Sequence, residues 1–147
     1  MAITLREINQ ENYRVISLLW HTLSPEQQRW VAHNAISMLD AHYFPHLIVR
    51  GIYNDDTPVG LVLWSYETDD NRWWIIRLMT AAPYQGKGYG RTALQQVIDG
   101  IRDQGADAVY ISFVKGNEVA EKLYASMGFV DTGEIIEGEI VYRLALK

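Results

Sequence analysis

The chain has 147 residues, a formal net charge of −5 and no cysteine. Its length suits a single domain over residues 1–147 with a core of its own. Its charge argues against a nucleic-acid partner, which needs a clustered basic face, and the missing thiols exclude disulfides, a cysteine zinc site and a cysteine acyl-enzyme. With no leader pattern and no run of 18 apolar residues, a cytoplasmic protein without a membrane partner is expected.

Residues 3–8 alternate as a strand does. Asn9 then caps a helix to about His21, with Val15, Ile16, Leu18 and Leu19 on one side. Ser24-Pro25-Glu26-Gln27 starts a second helix, with a Ser cap, Pro at the first helical position and Gln three residues past the cap. That helix runs through Trp30, Asn34 and Met38 towards His42, and Pro45 stops it. Residues 47–53 and 59–66 read as strands joined by the turn Asn54-Asp55-Asp56-Thr57-Pro58. Asp69-Asp70-Asn71 turns the chain into a long strand over residues 73–81.

Next comes Gln85-Gly86-Lys87-Gly88-Tyr89-Gly90-Arg91, followed by a helical pattern from near Arg91 with Leu94, Val97, Ile98 and Ile101 in register. Glycines permit positive φ and bare amides that a ligand can approach. The helix start adds unpaired N–H groups and the positive end of a dipole. A strand before, a helix after and two basic side chains inside describe an anion site for phosphate or pyrophosphate. The string is not a Walker loop, and Gly86-x-Gly88-x-Gly90 lacks the dinucleotide spacing.

The near-continuous apolar run 109–114 reads as a buried strand. Asn117 opens a helix with Val119, Ala120, Leu123, Tyr124 and Met127 on one side, and Gly128 sits just past its end. Residues 129–136, the turn Glu137-Gly138 and residues 139–146 close the chain as a hairpin. The order β-α-α-β-β-β-α-β-α-β-β is a mixed α/β layer.

Gln85-x-x-Gly88-x-Gly90 is similar to the acyl-CoA pyrophosphate loop of the GCN5-related N-acetyltransferase (GNAT) superfamily, and strand, loop, helix, strand, Asn117 and Tyr124 stand in that superfamily's order. Residues 31–37, 51–60 and 133–141 resemble its bacterial spermine/spermidine (diamine) acetyltransferase branch. The resemblance implies a central, mostly antiparallel sheet flanked by helices, with one parallel pair, residues 73–81 and 109–114, splayed apart. It implies acetyl-CoA as co-substrate, no metal, and direct transfer to a primary amine of a small molecule, first a polyamine. A protein or peptide amine, a non-catalytic acyl-CoA-binding module and a mononucleotide-binding protein stand as alternatives, and the oligomeric state, homodimer included, is left open.

By the same resemblance, backbone groups of Leu78, Met79 and Thr80 meet the pantetheine arm, whereas the side chains of Leu78 and Met79 read as core. The segment Gln85, Gly86, Lys87, Gly88, Tyr89, Gly90 and Arg91 holds the pyrophosphate, although Lys87 and Arg91 read equally as solvated side chains. Asn117 contacts pantetheine or is simply a helix cap. Tyr124 protonates the departing thiolate or is a core tyrosine at helical spacing.

An ammonium of pKa ~10.4 stands about 4–5 kcal/mol from its free base at pH 7, so some group must take a proton. Relatives often use a carboxylate on the central strand, but Trp74-Ile75-Ile76-Arg77 contains none. Glu67, Asp69, Asp70, His33 and His42 are available, but each reads as a surface or capping residue rather than a base, so the base is not identified. Glu67, Asp69, Asp70, Glu134, Glu137 and Glu139 near strand ends are candidates for binding a polycation.

Overall fold

The computed structural model describes residues 2–147. Its strands are β1 (Ile3–Arg6), β2 (Ile48–Asn54), β3 (Thr57–Glu67), β4 (Arg72–Thr80), β5 (Ala108–Val114), β6 (Val130–Ile136) and β7 (Glu139–Ala145). They form one sheet in the order β1-β2-β3-β4-β5-β7-β6. Every neighbouring pair is antiparallel except β4–β5. β3 sits near the middle, and its run Val59 to Leu63 is buried throughout, as a strand covered on both faces requires.

On one face lie α4 (Tyr89–Asp103) and α5 (Glu118–Ser126). Ala93, Leu94, Val97, Ile98 and Ile101 bury the 3.6-residue stripe of α4 against Ile75, Val109, Ile111 and Phe113. The other face carries α1 (Tyr13–Leu18), α2 (Pro25–Gln28) and α3 (Asn34–Tyr43), over a second cluster of Ile16, Leu23, Tyr53, Leu61 and Met79. No helix of the described residues is long and apolar enough to cross a membrane.

Several expected elements differ in extent. The pattern read as one helix from Ser24 to His42 is two. The capping box at Ser24 starts α2 as expected, but α2 ends at Gln28. A new start follows where His33 Nδ1 accepts the Ala35 amide at 3.0 Å and buried Asn34 donates to the Ile16 carbonyl at 2.8 Å. The regular part of the first helix begins at Tyr13, after a turn that Asn9 caps as expected, its Oδ1 accepting the amides of Glu11 and Asn12 and its carbonyl accepting the Tyr13 amide. It is also shorter, giving way to a 3₁₀ turn, Leu19–Thr22. Of its apolar stripe only Ile16 is fully buried, while Val15 and Leu18 remain 46% and 55% exposed. β1 stops at Arg6 rather than Ile8, its last partner being Gly51 on β2.

One irregularity shapes the middle of the sheet. Leu63 faces Arg77 and Trp64 faces Ile75, so Ile76 is an extra residue on β4. Such a bulge bends and twists its strand, and here it also reverses the phase of the side chains. Ile75 and Leu78 belong to the cluster under α4, whereas Met79 belongs to the one under α1 and α3, and Arg77 reaches Ser37 and Asp40 on α3. β4 and β5 pair only from Trp73–Val109 to Ile75–Ile111, and their partnership ends at the bulge.

Candidate active site

The parting of β4 and β5 opens a cleft of about 800 Å³. Leu78, Met79 and Thr80 line it on one strand, and Ser112 and Val114 on the other. Parallel strands that separate leave main-chain donors and acceptors without their ladder partners. The side chain of Met79 is buried and that of Leu78 packs against the core, so it is backbone that this stretch can offer a ligand.

The glycine loop meets the cleft at the end of β4. Gly86 and Gly88 take positive φ of 78° and 84°, and a Cβ on either would meet nothing within 4 Å. α4 starts at Tyr89, two residues before the expected point, with Gly88 as N-cap and no side chain capping it. The amides of Gly86 through Arg91 donate to no acceptor among the described residues. These unpaired donors point from a loop and a helix N-terminus with no acidic residue in its first turn, an arrangement that suits a pyrophosphate.

The side chains of the loop divide. Gln85 braces the structure, donating to the Thr80 carbonyl at 2.9 Å and accepting from Gln27 at 3.1 Å. The Tyr89 hydroxyl accepts from Asn54 at 3.0 Å. Gly90 lies against Thr80, whose Oγ1 would be 3.1 Å from an added Cβ. Arg91 lines the cleft and donates to Ser126 at 2.7 Å. Lys87 is exposed and is the one expected site residue that does not line the cleft.

Asn117 caps α5, its Oδ1 accepting the Ala120 amide at 3.2 Å, which leaves its Nδ2 free beside the cleft. Tyr124, one face of α5 further on, packs its ring between Phe113 and Phe129 with centroids 5.8 and 5.9 Å away. Its hydroxyl has no hydrogen-bond partner among the described residues. Burial first, and the negative charge of Glu139 second, push its pKa far above the ordinary tyrosine value. A shift in this direction favours the protonated phenol, the form that can donate a proton.

None of the five groups weighed as base lines the cleft. Glu67 pairs with His46 at 3.1 Å, and Asp70 accepts from Trp74 Nε1 at 3.0 Å. Asp69 and His42 are exposed. His33 caps α3 and contacts His21, Nε2 to Nε2, at 3.1 Å; burial and then the charge on His21 push its pKa down. Cleft residues that sequence reasoning did not single out include 29–32 after α2 and Ser112, whereas of the six acids weighed as polycation ligands Glu137 and Glu139 line the cleft and Glu67, Asp69, Asp70 and Glu134 do not. A second hollow, of about 530 Å³, lies at the paired end of β4 and β5. Arg72 there is already engaged by Glu134 at 3.1 Å and by the Tyr110 ring at 4.2 Å.

The model of the "Acetyltransferase (GNAT) family" matches residues 4–129. The spermine/spermidine N(1)-acetyltransferase of Bacillus subtilis (strain 168) is 27% identical over 145 residues, covering 92% of each chain. The microcin C7 self immunity acetyltransferase MccE, solved with acetyl-CoA and AMP, superposes with a TM-score of 0.79 at 19% identity, covering 97% of this chain and 92% of that one. Arabidopsis thaliana Naa50, in complex with the bisubstrate analogue CoA-Ac-MVNAL, gives a TM-score of 0.72 at 26% identity, covering 98% of this chain and 99% of that one.

Proposed function

Because this chain belongs to the acetyltransferase (GNAT) family, and is thus an N-acetyltransferase with acetyl-CoA as co-substrate, we propose that it acetylates a polyamine such as spermidine or spermine. The observation that carries this reading is the cleft itself. It gathers free loop amides, the unpartnered Tyr124 hydroxyl and the carboxylates of Glu137 and Glu139. The Bacillus subtilis relative acts on such amines by name. Arg77, a cation on the same cleft, is neutralised by Asp40 at 2.7 Å and so does not repel a cationic acceptor in full.

Acetyl-CoA supplies an acyl group already activated as a thioester. In this reading the amides of residues 86–91, with the Arg91 guanidinium beside them, hold the pyrophosphate. Backbone groups of Leu78, Met79 and Thr80 take the pantetheine amides in place of the lost strand ladder, and an amide there polarises the thioester carbonyl. Asn117 donates through Nδ2 while its Oδ1 caps α5. Tyr124 gives its proton to the departing thiolate.

A second reading, acetylation of a peptide amine, draws on the likeness to Naa50 in complex with a peptide-bearing analogue. One experiment separates the two. Free-thiol release is followed with spermidine, spermine, a monoamine and peptides offering an N-terminal or lysine amine. Polyamines are expected to lead in kcat/KM, with an advantage that shrinks as salt rises. Equal rates across polyamines together with rapid turnover of a peptide would overturn the polyamine reading.

A further inference from the structure

We propose that Glu139 accepts the proton that the attacking amine loses as it acylates, and returns it to Tyr124. This rests on the acetyltransferase reading above and assigns the second of the two protons that the ammonium sheds, the first going to water.

Position argues for it first. Glu137 and Glu139 are the carboxylates on the cleft. Glu137 is exposed at the tip of the turn, with φ of 51° and no hydrogen bond. Glu139 is half-buried on β7, where its Oε1 accepts from Ser112 Oγ at 3.0 Å. One oxygen is therefore oriented, and Oε2 has no partner among the described residues.

The register puts this carboxylate opposite the acid. Glu139 pairs with Val114 and Val141 with Ser112, so with a two-residue period these side chains share one face of β5 and β7. Ile111 and Phe113 face the other way, into the cluster that holds Tyr124. Tyr124 thus meets the gap from the face of α4 and α5, and Glu139 from the face of α1 and α3. β4 does not separate them, because its pairing with β5 has already ended at Ile111. The charge of Glu139 acts on the Tyr124 phenol across this gap. The other charged groups on the cleft are Arg29, Arg77 and Arg91.

The protons balance as follows. The ammonium loses one proton to water, and the free amine forms the N–C bond to the acetyl carbon. The nitrogen, now cationic and acidic, gives its next proton to Glu139. The C–S bond breaks, and the thiolate takes the Tyr124 proton. Glu139 then reprotonates the tyrosinate and is again a carboxylate. Amide, thiol and one proton in solvent are the products, with both side chains restored.

Glu139→Gln keeps the side-chain length and an acceptor for Ser112 while removing the basic oxygen. The wild-type protein is first assayed with the amine panel. If it acetylates none of them, the acetyltransferase assignment of substrate fails independently of Glu139. With an accepted amine, the variant is expected to bind acetyl-CoA within about twofold of wild type by calorimetry, and to lose ~10²-fold or more in kcat. Its rate should keep rising with pH where the wild type levels off, and formate should partly rescue Glu139→Ala. An unchanged kcat and pH profile would overturn the proposal, as would a loss confined to KM, which marks a mere anchor for the cation. If Glu139→Gln fails to fold or to bind acetyl-CoA, Glu139→Asp decides. It should keep the wild-type pH profile at reduced kcat, and a profile changed as in the alanine variant would overturn the assignment.

Discussion

Tyr124→Phe removes one oxygen from a side chain whose hydroxyl has no hydrogen bond to lose among the described residues. The ring contacts with Phe113 and Phe129, at centroid distances of 5.8 and 5.9 Å, remain. An unpaired buried hydroxyl costs about 1–3 kcal/mol when fully desolvated, and this one faces the cleft, so the variant should be as stable as wild type or more stable by up to about 1 kcal/mol. That corresponds to a rise in Tm of roughly 2–4 °C at most for a chain of this size. Acetyl-CoA affinity should hold, because the loop amides and strand backbone are untouched. Turnover should fall ~10²–10⁴-fold, which is about 3–5 kcal/mol of barrier.

The raised pKa of Tyr124 adds two checks with definite signs. Since the phenol stays protonated well past the ordinary ~10, it should contribute no descending limb to the kcat profile below pH 10. In stability, a group whose folded pKa is raised contributes fully below its unfolded value and loses that contribution as pH climbs above it. The wild type should therefore weaken above pH 10 more steeply than the phenylalanine variant. The assay is thiol release under conditions where chemistry limits, with acyl donors of graded thiol acidity. The loss in the variant should shrink as the thiol becomes more acidic and needs less help in leaving. Near wild-type turnover, or a loss independent of the leaving group, would show that water protonates the thiolate and that Tyr124 is a packing residue.

Two other variants test the cradle and the start of α3. Gly88→Val forces a β-branched residue into φ of 84°, but its Cβ meets no atom within 4 Å. The fold should survive a strain cost of about 1–3 kcal/mol, while calorimetry should find acetyl-CoA binding lost; unchanged affinity would remove the loop from the site. His33→Asn keeps a good N-cap and discards a titrating one. With the folded pKa of His33 lowered, its contribution is present above the unfolded value of ~6.5 and is lost as pH falls below it. Denaturation midpoints should thus fall more for wild type than for the variant between pH 7.5 and 5, and parallel curves would refute the coupling.

Much of the loop and of the flanking helices was legible in the sequence because their signals are local. Glycines at 86 and 88 take the positive φ that only their residue type adopts freely. Ser24 and Gln27 form their capping box within four residues. α4 shows its buried face at every turn, and Asn117 caps its own helix. Backbone preference and side-chain period decide such features before any distant contact is made, and the family resemblance rests on them.

Features that depend on remote partners were decided only by the tertiary structure. The extra residue at Ile76 exists only relative to the register of β3, yet it ends the β4–β5 pairing and turns Arg77 towards Asp40 on α3. The break between α2 and α3 is fixed by Asn34 reaching the Ile16 carbonyl, a bond that outweighs the continuous helical pattern read along the chain. Glu139 reads in the sequence as one acid among several beside a turn. It becomes a cleft residue because β7 pairs with β5, and because β5 loses β4 where Ser112 and Tyr124 approach. Periodicity records which face of its own element a residue occupies. Which other element that face meets is set by sheet order and register, and these follow from packing over the whole chain.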